Sequence, residues 1–315
     1  MLQYSLRKLL AGIPLILGVT LVSFLLMVYF GPDQTYTLLG KNPTPEQIAE
    51  VRAQLGYDQP FVTRYAGYLR ELATLDFGSS HSTGEPVSAL LGRTAPVSLA
   101  LVAPGFVLGN VLAILLALLA AHHRSRWPDK AIMGLAVVGM SISFLIVIVA
   151  FQIVFSSASG LNMFPVRGWG ASSLREYLHF VTVPTLAIVF VSLGYNTRFY
   201  RSVIVEEMTR DHVRTARAFG TPPARLMLRN VLANCLIPIV TRIVFSIPLI
   251  AISGSLIVES YFGIPGIGKA TYDAIMVGDQ PVLKAVVGLT AVLFVLAQLF
   301  VDILYRAVDP RVSLQ

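Results

Sequence analysis

The chain has a single cysteine, Cys235, in 315 residues. That excludes an intramolecular disulfide framework and any CxxC metal or redox site. Charge is scarce as well. Asp, Glu, Lys and Arg make up 13% of residues, about half of the roughly 25% found in a soluble domain, which is too little polar surface for an ordinary water-soluble enzyme. The five histidines include an adjacent pair, His122 and His123, beside Arg124, and no His/Cys/Asp/Glu spacing suggests a metal cluster. Disorder, collagen-like repeats and coiled coil are excluded by the same low charge and long apolar runs. What the chain has in excess is apolar side chains, 55% of the total, with a mean hydropathy of +0.71. Lipid is the solvent that suits this composition.

A spanning helix needs about 20 mainly apolar residues. Six such runs are present, over 9–30, 95–121, 131–155, 178–195, 236–258 and 285–305. The first follows Arg7 and Lys8 but is too long for a signal peptide and ends at Phe30-Gly31-Pro32 without a cleavage site, so it is expected to be retained. Six spans put both termini on one side. The terminal tails and the 122–130 and 197–230 loops carry 14 basic and 5 acidic residues, whereas the other three connections carry 9 basic and 11 acidic. By the positive-inside rule both termini are expected in the cytoplasm. The pI of 9.6 is then a matter of topology, and nucleic acid is not an expected partner.

The external segment 31–94 carries two helical patterns. Thr44-Pro45-Glu46-Gln47 reads as an N-cap, a proline at the first helical position and a capping-box glutamine, with Gly56 as a stop. Phe61, Tyr65, Tyr68, Leu69 and Leu72 then recur at helical spacing. Their apolar faces suit packing against the spans or an external partner. The third external segment contains Phe262-Gly263-Ile264-Pro265-Gly266-Ile267-Gly268-Lys269, whose glycines and proline imply a tight backbone path. Gly263 to Lys269 also fits GxxxxGK, but Ala270 stands where a magnesium-binding hydroxyl is needed, Pro265 interrupts the loop and no strand precedes it, so a nucleotide site is not expected.

The inner loop 198–230 is the most informative stretch, with seven arginines and three acids. Asp211 can cap a helix through Val213, Arg214, Thr215, Ala216, Arg217 and Phe219, Gly220 can end it, and Thr221 and Pro222 can start another. Such a helix is either a topology signal or a peg for a cytoplasmic partner. Inside the spans, Asn110, Ser141, Ser143, Gln152, Ser192, Asn196, Thr241, Arg242, Ser246 and Ser253 could line a polar passage, or could bond to their own helices and tie neighbours together. Gly105 and Gly109, after Pro104, permit close helix contact, and Pro238 and Pro248 interrupt the fifth span. The histidines lie outside the spans, His179 at a boundary, and Asp302 is the only span carboxylate. No Ser/His or paired-carboxylate constellation for an intramembrane hydrolase is present.

With these residues laid out, the chain resembles the inner-membrane permease subunits of binding-protein-dependent ABC importers, in the dipeptide, oligopeptide and nickel branch. The likeness runs nearly end to end. It rests on Tyr4-x-Leu6-Arg7-Lys8-Leu9-Leu10 with Ile13-Pro14 and Gly18-Val19; on Leu55-Gly56-Tyr57-Asp58-Gln59-Pro60-Phe61 with Arg64-Tyr65; and on Asp76-Phe77-Gly78-Ser79-Ser80. It continues in Val213-Arg214-Thr215-Ala216-Arg217-Ala218-Phe219-Gly220 with Leu228-Arg229-Asn230 and Ile237-Pro238, in Glu259-x-x-Phe262-Gly263-Ile264-Pro265-Gly266-Ile267-Gly268, and in Asp309-Pro310-Arg311. The general permease signature opens Glu-Ala-Ala where this chain has Arg214-Thr215-Ala216, a departure usual for the peptide branch.

The resemblance implies an all-α, six-span protein of the type I importer permease architecture in a bacterial inner membrane. Residues 1–94 would form the first span with its external helices, and 95–315 a five-span core with a coupling loop at 197–235. Asp211, Arg214, Thr215, Ala216, Arg217, Phe219, Gly220 and Thr221 would contact the ATPase. Glu259, Phe262, Gly263, Ile264, Pro265, Gly266 and Gly268 would serve the outer gate or the binding-protein contact. Asn110, Ser141, Gln152, Asn196, Thr241, Ser246 and Ser253 would line the passage. Implied partners are a second homologous permease, as a heterodimer, two cytoplasmic ATPases, an external solute-binding protein and membrane lipid. ATP and magnesium would be used by the ATPases, with no cofactor or metal on this chain, and the solute would be a di- or oligopeptide or similar small polar molecule. Nickel or another metal chelate is the alternative cargo, and a gated channel that needs no ATPase is the alternative class.

Overall fold

The computed structural model describes residues 2–31, 35, 39–40, 43–249 and 255–308. These residues are helical, without a β-strand; an isolated bridge pairs Ser79 with Pro86. Among the described residues five helices are long and apolar enough to cross a membrane, or six crossings if one bent helix pair counts as a span. The long helices are α1 (Leu2–Phe30), α4 (Val87–His122), α7 (Leu174–Glu207), α9 (Ala233–Leu249) and α12 (Gln280–Val308). Leu99, Val107, Leu108, Val111, Leu115 and Leu119 remain exposed along α4, as expected where lipid rather than water covers the apolar face.

The third expected span, 131–155, is not one helix. It is α5 (Trp127–Ser141) and α6 (Phe144–Ser156), bent by 101° at the break. At the break the Ser141 hydroxyl donates back to the Val137 carbonyl at 2.7 Å, a bond that competes with the helical ladder. The fifth expected span, 236–258, is described only up to Leu249 and again from Ser255, with 250–254 outside the described residues. Its helix begins earlier, running from Pro223–Arg225 through a π-helical stretch, Leu226–Leu232, into α9, and Val258 lies in the described segment α10 (Ser255–Phe262).

The chain forms two compact units. One comprises 1–98, 252–260 and 265–300. Within it the capping box is as the sequence implies: Thr44 Oγ1 accepts from Gln47 N, and Gln47 Oε1 accepts from Thr44 N, opening α2 (Pro45–Gln54). The aromatic helix α3 (Phe61–Thr74) packs against spans. Tyr68 and Leu72 are buried, Tyr68 Oη donates to the Lys284 carbonyl at 2.9 Å, and Lys284 Nζ pairs with Glu71 at 2.6 Å. Phe24 of α1 stacks on Tyr68, and Tyr65 Oη donates to the Leu17 carbonyl. Burial pushes the Tyr68 phenol pKa well up, with Tyr65 and Glu71 adding to it. Of the two roles open to this helix, the structure shows span packing.

The turn after α3 is held by Asp279, which is 1% exposed. Its carboxylate accepts from Ser80 Oγ (2.5 Å), Ser82 Oγ (2.8 Å), Ser82 N (3.1 Å) and His81 N (3.2 Å). Burial opposes ionisation there, but the hydroxyl and backbone donors outweigh it and hold the carboxyl below its ordinary range.

The other unit comprises 99–251, 261–264 and 301–315. Its core gathers Ala113, Ala117, Ala121, Tyr200, Ile204, Val213, Met227, Val231, Cys235 and Ile239. Small residues set the helix spacing. A Cβ on Gly109 would stand 2.8 Å from Ser192 Oγ, and one on Gly194 would stand 2.8 Å from Met140 N. Asp129, 4% exposed, receives a two-pronged ion pair from Arg201 (2.5 and 2.6 Å) and a bond from Ser125 N, tying α5 to α7. Arg201 stays partly exposed, so the pair is screened on one side and its removal costs less than that of a fully buried one.

Candidate functional site

Three clusters hold the residues that carry chemistry or contact. The first is the inner loop. Helix α8 (Asp211–Ala218) is amphipathic: Val213 is fully buried and Ala216 packs against the same core, while Arg214, Arg217 and Phe219 face outward. Phe219 is 86% exposed, an apolar ring left in the open at the tip of a basic helix. Gly220 ends the helix with φ +77°, its N–H bonded to the Arg217 carbonyl and the Thr221 N–H to the Ala216 carbonyl. That is the Schellman pattern, which favours glycine because a Cβ is strained in the left-handed region. The expected cap is corrected by one residue. Arg210 is the N-cap, with its carbonyl receiving Val213 and Arg214 N–H groups, and Asp211 sits in the first turn, 3.6 Å from Arg214. An acid in the first turn still complements the helix dipole without a cap bond. The next helix likewise starts at Pro223, with Pro222 as its cap.

The second cluster surrounds Glu259, which is completely buried. Its Oε2 accepts from Lys269 N at 3.0 Å, and Ser98 Oγ accepts from Ile267 N at 2.7 Å, so the two side chains cap α11 (Ile267–Val277). A Cβ on Gly266 would stand 2.3 Å from Glu259 Oε2 and 2.4 Å from Ser98 Oγ, which explains the bare backbone there. The GxxxxGK resemblance is thereby explained too: the helix N-terminus where a phosphate would rest is filled by the chain's own carboxylate, and Lys269 Nζ pairs with Asp273 at 2.6 Å. Gly263 has φ +69°. Phe262 and Ile264 are buried, and the Phe262 carbonyl accepts from Gly168 N at 2.8 Å. Gly268 is buried within α11.

The third cluster is polar and lies within the spans. A cavity of about 510 Å³ is lined by Asn196, Phe199, Pro238, Thr241, Arg242, Phe245 and Ser246. Asn196, Thr241 and Ser246 thus come together. Asn110 stands behind them, 5% exposed, accepting from Tyr200 Oη (2.5 Å) and Asn196 Nδ2 (3.3 Å) and donating to the Phe106 carbonyl. Ser141 and Gln152 lie elsewhere. Ser141 bonds to its own helix, and Gln152 donates to the Val166 carbonyl (2.7 Å) and accepts from Tyr261 Oη (2.6 Å), a tie between segments. Ser253 lies outside the described residues. Phe199 and Phe245 escape a polar-residue search because an aromatic in a span reads as lipid-facing or core.

Long apolar helices, an open cavity with polar side chains in its wall and an exposed basic helix together define a membrane transport component. Residues 109–314 match the family of binding-protein-dependent transport system inner membrane components, and residues 1–102 match the N-terminal region of such membrane components. The chain belongs to this family, as a permease subunit of an ABC importer in the peptide branch, and is a multi-pass inner-membrane protein. It is 32% identical over 310 residues to a Brucella abortus protein named for a peptide transport system permease, covering 98% of each chain. It is also 32% identical over 312 residues to the glutathione transport system permease protein of Salmonella choleraesuis, covering 99% of each. With the dipeptide transport system permease protein of Alkalihalophilus pseudofirmus it shares 27% identity over 334 residues, 99% of this chain and 100% of that one. Members of such a system work with ATPase and solute-binding partners.

Proposed function

We propose that this chain forms half of the translocation path of an ATP-driven importer for di- or oligopeptides or similarly small polar solutes, coupled to cytoplasmic ATPases through the 211–225 loop. The observation that carries the coupling is α8: Val213 anchors it in the core, while Arg214, Arg217 and an 86% exposed Phe219 are left for a partner. An exposed phenyl ring is apolar area whose burial against a partner is favourable, and a basic helix with an apolar tip suits a cleft with acidic walls. Both termini and this loop lie on the cytoplasmic side, as the basic residues of the inner loops support. The path is completed by a second, homologous permease in a heterodimer. Two ATPases bind beneath it and use ATP and magnesium, while this chain carries no cofactor. Closure of the ATPase pair moves α8 and rocks the bundle from inward-open to outward-open, a population shift driven by ligand binding. On the outer side the Glu259 to Gly268 path contacts the external binding protein or forms the gate. Asn196, Thr241 and Ser246 line the passage. The names of the relatives support a peptide-like cargo.

The test is purification of the tagged protein from membranes in mild detergent. Recovery of a second permease and ATP-hydrolysing subunits, with hydrolysis stimulated by the binding protein, is expected. A lone homo-oligomer without ATPase activity would overturn the reading in favour of an autonomous channel.

A further inference from the structure

Arg242 is a guanidinium in a candidate membrane span, Pro223–Pro248. A charge at such a position is costly and is kept where it faces a cavity or a partner. Among the described residues no acid forms an ion pair with it. Its Nε donates to Asn196 Oδ1 at 3.2 Å, and its guanidinium carbon lies 4.6 Å from the centre of the Phe199 ring. Its terminal amino groups make no hydrogen bond to another described residue, and the residue lines the 510 Å³ cavity.

The side chain is also held in place. Asn196 gives its amide nitrogen to Ser192 Oγ (3.0 Å) and Asn110 Oδ1 (3.3 Å), which leaves its carbonyl oxygen for Arg242. The reverse orientation of the amide would set two donors against each other. Asn110 is fixed in turn by Tyr200 and the Phe106 carbonyl. One edge of the guanidinium is therefore spent on a locked amide and one face on an aromatic ring. The fork of terminal nitrogens remains, and this is the geometry that takes a planar carboxylate two-pronged.

We propose that Arg242 is the anchor for the carboxylate of the passing solute, with Asn196 and Phe199 as positioning residues. The inference rests on the passage reading above and deepens it: the cargo is a molecule with a free carboxylate, such as the C-terminus of a peptide, and a neutral solute of equal size is carried poorly. The surrounding wall, Thr241 and Ser246 with Phe245 and Pro238, offers neutral hydroxyls and apolar surface, so the arginine is the cavity's single fixed charge among its lining residues. One arginine holds a carboxylate without trapping it, as a transit site requires.

The experiment uses the assembled transporter in lipid nanodiscs without ATP, and reads thermal unfolding with trialanine or trialanine amide as the probe. The free acid is expected to raise the unfolding midpoint and the amide to leave it unchanged. Arg242→Gln should abolish the shift and Arg242→Lys should keep part of it. Equal responses to acid and amide, no response to either, or a full response in Arg242→Gln would each overturn the proposal. So would loss of the second permease on purifying Arg242→Gln, because the arginine would then serve assembly. A shift that follows added phosphatidylglycerol rather than the peptide would give the site to lipid headgroups and overturn it as well. ATP-driven uptake by the same wild-type assembly, measured separately, judges the importer reading, so the two can fail independently.

Discussion

Replacing Gly220 with valine is expected to separate ATP hydrolysis from uptake while leaving insertion and assembly intact. Gly220 sits at φ +77° with nothing within 4 Å of where a Cβ would be. The substitution therefore crowds no neighbour, and its whole effect falls on the backbone. A β-branched residue held at positive φ costs about 1–3 kcal/mol, and the helix end can relieve this only by giving up the Gly220 to Arg217 and Thr221 to Ala216 bonds. Unwinding there moves Phe219, the residue proposed to seat in the ATPase. Since about 1.4 kcal/mol is a factor of ten, uptake per ATP hydrolysed in proteoliposomes should fall by about tenfold or more. Gly220→Asn should stay near wild type, because asparagine tolerates the left-handed region. A valine variant with normal expression and normal coupling would remove the peg from the account.

A second large effect is expected at Gly266→Ala, for the opposite reason. Here the backbone is ordinary, with φ −102°, and the space is full: the added methyl would meet Glu259 Oε2 at 2.3 Å and Ser98 Oγ at 2.4 Å. Both atoms cap α11, so neither can retreat without stranding an N–H of the first turn. Overpacking typically costs about 1–3 kcal/mol, and disturbing a buried carboxylate that receives a backbone N–H adds to it, since bonds to charged groups contribute about 1.5–3 kcal/mol. The unfolding midpoint of the purified assembly should drop by several degrees. Glu259→Gln, which keeps the oxygen for Lys269 N without the charge, should cost less. An unchanged midpoint in Gly266→Ala would show that this loop is looser than its contacts imply.

Much of this was legible from residue types because the relevant interactions are local. The apolar runs of α1, α4 and α12, the Thr44/Gln47 capping box and the glycine stop at Gly220 each depend on residues within a few positions of one another. The bend between α5 and α6 was not legible, because hydropathy is continuous across 131–155 and a serine that bonds back to its own helix has the same composition as one that does not. The cavity was half legible. Asn196, Thr241 and Ser246 stand out as polar residues in spans, but the pairing of Arg242 with Phe199 and Asn196 joins residues more than 40 positions apart. The Asp129–Arg201 pair, 72 positions apart, is likewise a product of packing. Its only sequence signal is an acid placed in an otherwise basic inner loop.

Helix α8 and Phe219 are proposed to form the contact through which ATP hydrolysis drives this permease. The most direct test is a photo-crosslinking amino acid in place of Phe219, irradiated in the assembled complex in membranes, with the same group in place of Leu112, an exposed residue of α4, as the control. Capture of an ATPase subunit is expected from position 219, in a yield that changes when nucleotide closes the ATPase pair, and none from position 112. No ATPase capture from 219, or equal capture from both positions, would contradict it.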